Sequence, residues 1–315
     1  MKEKQRKKVV VIGGGTGTFT VLSGLKAHPL DLTAIVAMTD DGGSTGRLRD
    51  EYGVLPPGDV RQCLVALSEA SGVMRRLFNY RFENGGLGGH SFGNLFLTAL
   101  TKVTGNFAAA MEVASEVLKV RGRVLPVTLD TARLCVELKN GKVLGGEHSV
   151  DTYQMISRFG VKKIFLDHPA EANPKAIQAL KEADLIVVGP GGLYDSIIPN
   201  FLPHGMAGAF RRAKGKKVFV VNLMNKYGHA DGFTVHTYVT MLERFIGKRL
   251  FEVVVYNSEH PSAQLVRRYV DEGEPVARGE IPKDAGYKVL SARLLNHGAA
   301  VTSREREVAK LAAMA

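Results

Sequence analysis

Residues 13–17 read Gly-Gly-Gly-Thr-Gly, and the rest of the chain is organised around the chemistry they allow. Glycines let a backbone approach a diphosphate closely. Free N–H groups and the dipole at the start of a following helix then favour the negative charge. Gly13, Gly14, Gly15, Thr16 and Gly17 are therefore candidate ligand-binding residues. The dinucleotide fingerprint is met in part, because Thr18 stands where its last glycine is expected. No Gly-Lys-Ser/Thr follows to make a P-loop. The competing reading is a tight turn that serves packing alone.

Two more turns share this character. Residues 39–46 carry Asp40, Asp41, Gly42, Gly43 and Ser44, and residues 189–192 carry Gly189, Pro190 and Gly191. Asp40 and Asp41 follow a predicted strand, where dinucleotide-binding proteins keep the acid for the ribose hydroxyls. Neighbouring extended residues point to opposite sides, so one aspartate faces the site and the other satisfies local N–H groups. A Mg²⁺ bridging carboxylate and diphosphate fits the same chemistry, with Asp41 as its candidate ligand. Asp59 opens a helix, either as a cap or as a functional acid. Arg61 either clamps phosphate or pairs with Asp59. Gly93 and Asn94, near the start of a later helix, and Asn222, at a strand end, offer amides to a base or sugar. His90 has no partner at metal or catalytic spacing. Neither a nucleophile elbow nor a Ser-His-Asp or Cys-His arrangement is present, so the sequence describes a cradle without a catalytic engine.

The elements that must position these residues alternate. Four β-branched residues at 9–12 suit a strand buried on both faces, and Phe19, Leu22 and Leu25 then fall at helical spacing. Strands are predicted over 32–38, 163–166, 185–188, 218–222 and 251–256. Helices are predicted from Asp59, around 73–80, after the caps Ser91 and Asn106, and over 174–182, 206–213 and within 235–245. Three short strands at 124–128, 133–138 and 142–144, with a hairpin signal at Asn140-Gly141, read as a small antiparallel insertion over about 121–160. A tail from about 259 to 315 reads as helices and loops. The expectation is one Rossmann-like α/β domain over 1–315, a doubly wound, mostly parallel sheet whose three glycine-rich corners share one edge. Residues 45–57 and the tail are the candidates for movement on ligand binding, with ordered surface as the competing reading, and Tyr269 in the tail is a candidate to stack on a ligand's ring.

The net charge of +11 is spread along the chain, with one dense basic run at 1–8 read as a solvated tail. It accompanies no nucleic-acid motif and suits a phosphorylated ligand. No apolar run reaches the length of a membrane span and no signal peptide is predicted. Cys63 and Cys135 are the only cysteines and lie in no metal spacing. A cytoplasmic protein is expected.

The segments 10–17, 40–49, 56–61, 89–95, 120–126, 189–194 and 196–200, with Asp231-Gly232, resemble the YvcK/CofD-like family, and within it the YvcK, gluconeogenesis-factor branch. That resemblance implies a cytoplasmic protein that binds UDP-sugars, UDP-N-acetylglucosamine in particular. It would be required for cell shape and wall synthesis on gluconeogenic carbon sources, through a protein partner in wall or carbon regulation. A homo-oligomer is also open. The other branch, 2-phospho-L-lactate transferase, moves a phospholactyl group from a guanine nucleotide to a deazaflavin with Mg²⁺; Asp41 and Asp59 would then be its catalytic residues. Gly14, Gly15, Thr16, Gly17, Asp41, Gly46, Asp59, Gly189 and Pro190 look shared by both branches. Gly42-Gly43 stands where the transferase branch carries a tryptophan, and this chain has none. Gly192 stands where serine is usual in the YvcK branch, and 225–230 departs from its usual Thr-Gln-Pro-Gly-Glu-Thr. A third reading, an oxidoreductase holding NAD in the same cradle, rests on fold analogy.

Overall fold

The structure is a computed structural model that describes residues 6–259 and 273–294. Its strands are β1 (Lys7–Gly13), β2 (Leu30–Val36), β3 (Arg123–Pro126), β4 (Leu134–Leu138), β5 (Val143–Gly145), β6 (Val161–Leu166), β7 (Leu185–Val188), β8 (Lys216–Val220), β9 (Val253–Asn257) and β10 (Lys288–Ala292). Val9 to Ile12 are buried on both faces of β1, as a central parallel strand requires. Helices from both sides of the sheet complete a single apolar core that includes Leu22, Leu25, Leu64, Leu97, Phe210 and Tyr238.

Seven strands form one parallel sheet in the order β10-β9-β8-β7-β1-β2-β3. The chain winds outward from β1 to β2 and β3, then resumes on the far side of β1 with β7 and continues to β10. Strand order therefore reverses between β1 and β7, and the crevice beyond their carboxyl ends is where such sheets bind ligands. Because the three strands run parallel, the corners after β1, β2 and β7 leave from one edge, as expected. The second sheet, β5-β4-β6, is small and antiparallel. Its hairpin turns at Asn140-Gly141, where Gly141 has φ +87°.

Three strands belong elsewhere than the sequence predicts. The segment at 124–128, expected in the antiparallel insertion, is β3, paired in parallel with β2 at the edge of the main sheet. The segment at 163–166, expected to resume the main sheet, is β6 in the small one. Short apolar runs define a strand but not its partner, which long-range packing decides. Residues 288–292, expected in a helical tail, pair with β9 as β10. Only Ala292 of these five is buried, so this edge strand lacks the apolar signal that marks a central one.

The helices that shape the site are α1 (Gly15–Leu25), α2 (Gly43–Tyr52), α3 (Gly58–Leu67), α4 (Gly72–Asn79), α5 (Phe92–Thr104), α6 (Phe107–Val117) and α7 (Glu147–Thr152). Ser91 and Asn106 cap α5 and α6 as expected, accepting from the N–H groups of Asn94 and Ala109. The turn predicted over 39–46 is already helical from Gly43, and α7 falls inside the stretch read as β-rich. No helix among the described residues is long and apolar enough to cross a membrane. Both cysteines are free.

Candidate functional site

The corners after β1 and β7 are in contact. A side chain at Gly17 would place its Cβ 2.2 Å from the Pro190 carbonyl oxygen. Only glycine lets the start of α1 lie against the 189–192 turn. Thr18 fits in place of the missing fingerprint glycine because its hydroxyl turns inward and donates to the Gly14 carbonyl at 3.2 Å. The turn at 189–192 is held by Asn222, at the end of β8. Asn222 Oδ1 accepts the Gly191 N–H at 2.9 Å, and its amide donates to the Gly191 carbonyl, also at 2.9 Å. Asn200 ties the two corners from behind, donating to the Gly13 carbonyl at 3.3 Å and the Ser196 carbonyl at 2.8 Å. Gly14, Gly15, Thr16, Gly17, Pro190, Gly191 and Asn222 line one wall of an open cavity of about 770 Å³. The N–H end of α1 favours an anion, and the Asp59 carboxyl from α3 already takes its Gly15 N–H.

Asp59 sits beneath this wall. A Cβ on Gly14 would fall 2.2 Å from Asp59 Oδ2, which makes glycine at 14 a requirement of the acid below it. Burial pushes the Asp59 carboxyl up to about 7, with Asp40 raising it further against the Gly15 N–H, which favours the charged form. Asp59 is thus an acid with a proton to hold near neutrality, a property its position at the head of α3 did not reveal. Asp40 accepts the Gly42 N–H at 2.9 Å and its carboxyl is raised, chiefly by burial. Asp41 points the other way. Its Oδ1 accepts the His148 N–H at 2.7 Å and its Oδ2 lies 3.7 Å from Arg49. Asp41, the candidate metal ligand, thus has one oxygen capping α7 and the other beside a cation, and it does not line the cavity. Of the pair, Asp40 faces Asp59 and Asp41 anchors the insertion.

Arg61, Gly93, Asn94 and Ser44 meet in a buried polar network rather than on the cavity wall. Arg61 donates to Asn94 Oδ1 at 3.0 Å and to Asn79 Oδ1 at 2.5 Å. Asn94 donates to the Ser44 and Thr45 hydroxyls at 3.3 and 3.4 Å. His90, without a partner in the sequence reading, shares a 3.0 Å hydrogen bond with Ser44. Gly93 admits the Arg61 side chain, since a Cβ there would lie 2.6 Å from Arg61 Cδ. The network joins α2, α3, α4 and α5, and its arginine is spent on amides rather than offered to phosphate. Gly42 and Gly43 begin α2 and do not line the cavity. Tyr269 lies outside the described residues.

The charged part of the lining was missed by sequence reasoning. Glu147 and Asp151 on α7, Asp195 after the 189–192 turn, and Lys226 beyond β8 line the same cavity as the glycine corners, and Asp195 packs directly against Gly192. Lys226 makes an ion pair with Asp151 and lies 3.7 Å from Asp195 Oδ2. Burial pushes Glu147 up to about 9, with Asp40, Asp195, Asp151 and Asp59 adding to the rise. Asp195 is raised for the same first reason. Burial acts upward on Asp151 as well, but its bonds with Lys226 and Asp195 hold it below the usual carboxylate range. These residues come from three separate segments, and no local spacing announces them.

A doubly wound parallel sheet with glycine-rich corners meeting at its switch point defines this protein as one of the Rossmann-like α/β class. The family profile of 2-phospho-L-lactate transferase CofD matches residues 9–295, and the chain belongs to this CofD/YvcK family. A relative from Nostoc sp. is 47% identical over 91% of this chain, which spans 63% of that relative's length. The gluconeogenesis factor of Bacillus subtilis is 40% identical, with 86% of each chain covered. A crystal structure of a UPF0052-family protein from Bacillus halodurans matches with a TM-score of 0.89 at 36% identity, covering 98% of this chain and 99% of that one.

Proposed function

We propose that the crevice between β1 and β7 binds a nucleotide sugar, with UDP-N-acetylglucosamine as the first candidate, and that the protein is a cytoplasmic factor for growth on gluconeogenic carbon. The observation that carries this reading is the contact between the two glycine corners, Gly14–Gly17 against Gly189–Gly191, at the point where strand order reverses. Backbone N–H groups at the start of α1 suit a diphosphate. The name gluconeogenesis factor, carried by relatives from Bacillus subtilis and Halalkalibacterium halodurans, supports the physiological half. Roles in cell shape and an unidentified protein partner belong to the same reading, because a ligand shifts only states that it binds differently.

Thermal unfolding tests the ligand. UDP-N-acetylglucosamine at a hundredfold over Kd should add about 2.7 kcal/mol of stability. A midpoint that no nucleotide sugar moves would sink the proposal. NADH, run beside it, tests whether a nicotinamide dinucleotide enters the same cradle.

A second reading, a transferase of phosphorylated groups, is favoured by one observation: Asp59 lies under the phosphate cradle with its carboxyl raised to about 7, near the value for proton transfer at neutrality. Incubation with guanine-nucleotide donors and a deazaflavin, followed by mass spectrometry, decides it. Absence of any new phosphodiester removes this reading and leaves the first intact.

A further inference from the structure

Glu147, Asp151 and Asp195 each offer one oxygen, and the three atoms lie within 4.8 Å of one another. Acids often gather without holding anything, so Asp195 deserves separate inspection. It is 4% exposed, lines the cavity, and its Oδ1 has no hydrogen-bond partner. A buried carboxylate oxygen left open is costly, and proteins keep one where a ligand completes it. The chain also makes room for it. A Cβ on Gly192 would lie 1.7 Å from Asp195 Oδ1, so this acid in this position depends on the glycine.

The charge balance points the same way. Lys226 is the one ammonium among the residues lining the cavity, it is already engaged with Asp151, and it faces three carboxylates. Asp40 and Asp59 add to the negative field felt by Glu147. Carboxylates packed this closely repel one another when ionised, and a cation among them would relieve that repulsion.

We infer that Glu147, Asp151 and Asp195 form a divalent-cation site in the cavity, beside the 189–192 corner. All-oxygen donors suit a hard ion of the Mg²⁺ or Mn²⁺ kind, which commonly takes one or two carboxylates and completes its shell with water and substrate phosphate. The cation site stands on these residues alone. Its role as a bridge to a diphosphate rests on the nucleotide-sugar reading above. The site is distinct from Asp41, whose two oxygens serve His148 and Arg49.

The full chain, stripped with EDTA and exchanged into chelator-free buffer, is titrated with Mn²⁺ while the free ion is followed by electron paramagnetic resonance. One Mn²⁺ should bind per chain, and Asp195→Asn should weaken it by at least about tenfold. Gly192→Ser should weaken it similarly by displacing the Asp195 carboxylate without removing it, since the backbone there (φ −58°) accepts any side chain. Lys226→Met removes the competing ammonium and should tighten binding. Unfolding midpoints of all variants guard against loss of fold. No bound Mn²⁺, with or without UDP-N-acetylglucosamine, overturns the site; so does binding that Asp195→Asn and Gly192→Ser leave unchanged. UDP-N-acetylglucosamine binding measured in EDTA separates the two ideas: a midpoint that rises there without any Mn²⁺ site leaves the nucleotide reading standing and the cation site refuted.

Discussion

The two walls of the crevice are built from different materials. The glycine wall is backbone: corners at 13–17 and 189–192, brought within contact by Gly17 and Pro190 and fixed by hydrogen bonds with the side-chain amides of Asn200 and Asn222. The other part of the lining is side chains: Glu147, Asp151, Asp195 and Lys226, carried by the insertion helix and by the segments after β7 and β8. One wall attracts anions through fixed dipoles that cannot titrate. The other carries charges whose state depends on pH and on each other. If the crevice binds a nucleotide sugar as proposed, affinity for its phosphates and the modulation of that affinity reside in separate parts of the fold and can be broken separately.

The largest effect should come from breaking the backbone wall. Gly17→Ala puts a methyl group 2.2 Å from a backbone oxygen that cannot swing aside. Alanine gains up to about 1 kcal/mol over glycine inside a helix, yet overpacking of this kind costs about 1–3 kcal/mol. The two corners must part to relieve it. The expected outcome is a lower unfolding midpoint together with complete loss of the stabilisation by UDP-N-acetylglucosamine. A variant that still responds to the ligand would show that the contact between corners is incidental to binding.

Arg61→Ala should separate stability from binding. Arg61 is buried, bonds Asn94 and Asn79, and does not line the cavity. Its removal leaves the Asn94 amide oxygen without its donor, for a loss of about 2–3 kcal/mol. Calorimetry below the lowered midpoint should find the ligand Kd unchanged. A large rise in Kd would return Arg61 to the phosphate role open to it in the sequence.

The acid under the glycine wall makes a pH prediction. The Asp59 carboxyl is raised from 3.8 to about 7, so between those values the folded state holds a proton that the unfolded chain has released. Stability contributed by this group is present below pH 4 and is lost as pH climbs toward 7. Asp59→Asn keeps the shape and cannot ionise. Its midpoint should gain on the wild type progressively from pH 4.5 to pH 7.5. Parallel pH curves for the two proteins would mean that Asp59 titrates normally in the fold.

Legibility followed the same division. β1, β2 and β7 and the corners after them were readable because buried β-branched runs and glycine clusters are local signals, and the topology rule then puts them on one edge. The caps at Ser91 and Asn106 were readable for the same reason. Sheet membership of β3 and β6 was not, since a short alternating run fits either partner. The acidic wall was invisible because its members lie at 147, 151, 195 and 226 and acquire meaning only when α7 folds over the crevice. Arg61 and Asn94 were misleading in a consistent way. Polar groups near a cradle invite a ligand role, but buried ones first satisfy each other.

The smallest effect, and the one that best tests how the walls are joined, is expected at Asp41. Asp41→Ala removes the carboxylate that accepts the His148 N–H at the start of α7 and faces Arg49. Loss of such a cap costs about 1–2 kcal/mol. Because α7 carries Glu147 and Asp151, the acidic wall should loosen while the glycine wall keeps its form. Nucleotide-sugar binding should then weaken by no more than a few-fold when measured in EDTA, and Asp41→Asn, which retains an oxygen for the His148 N–H, should fall between Asp41→Ala and the wild type in midpoint. If Asp41→Asn instead abolishes binding outright with its midpoint unchanged, Asp41 acts on the ligand through its charge, and the division between an anchoring Asp41 and an inward-facing Asp40 is wrong.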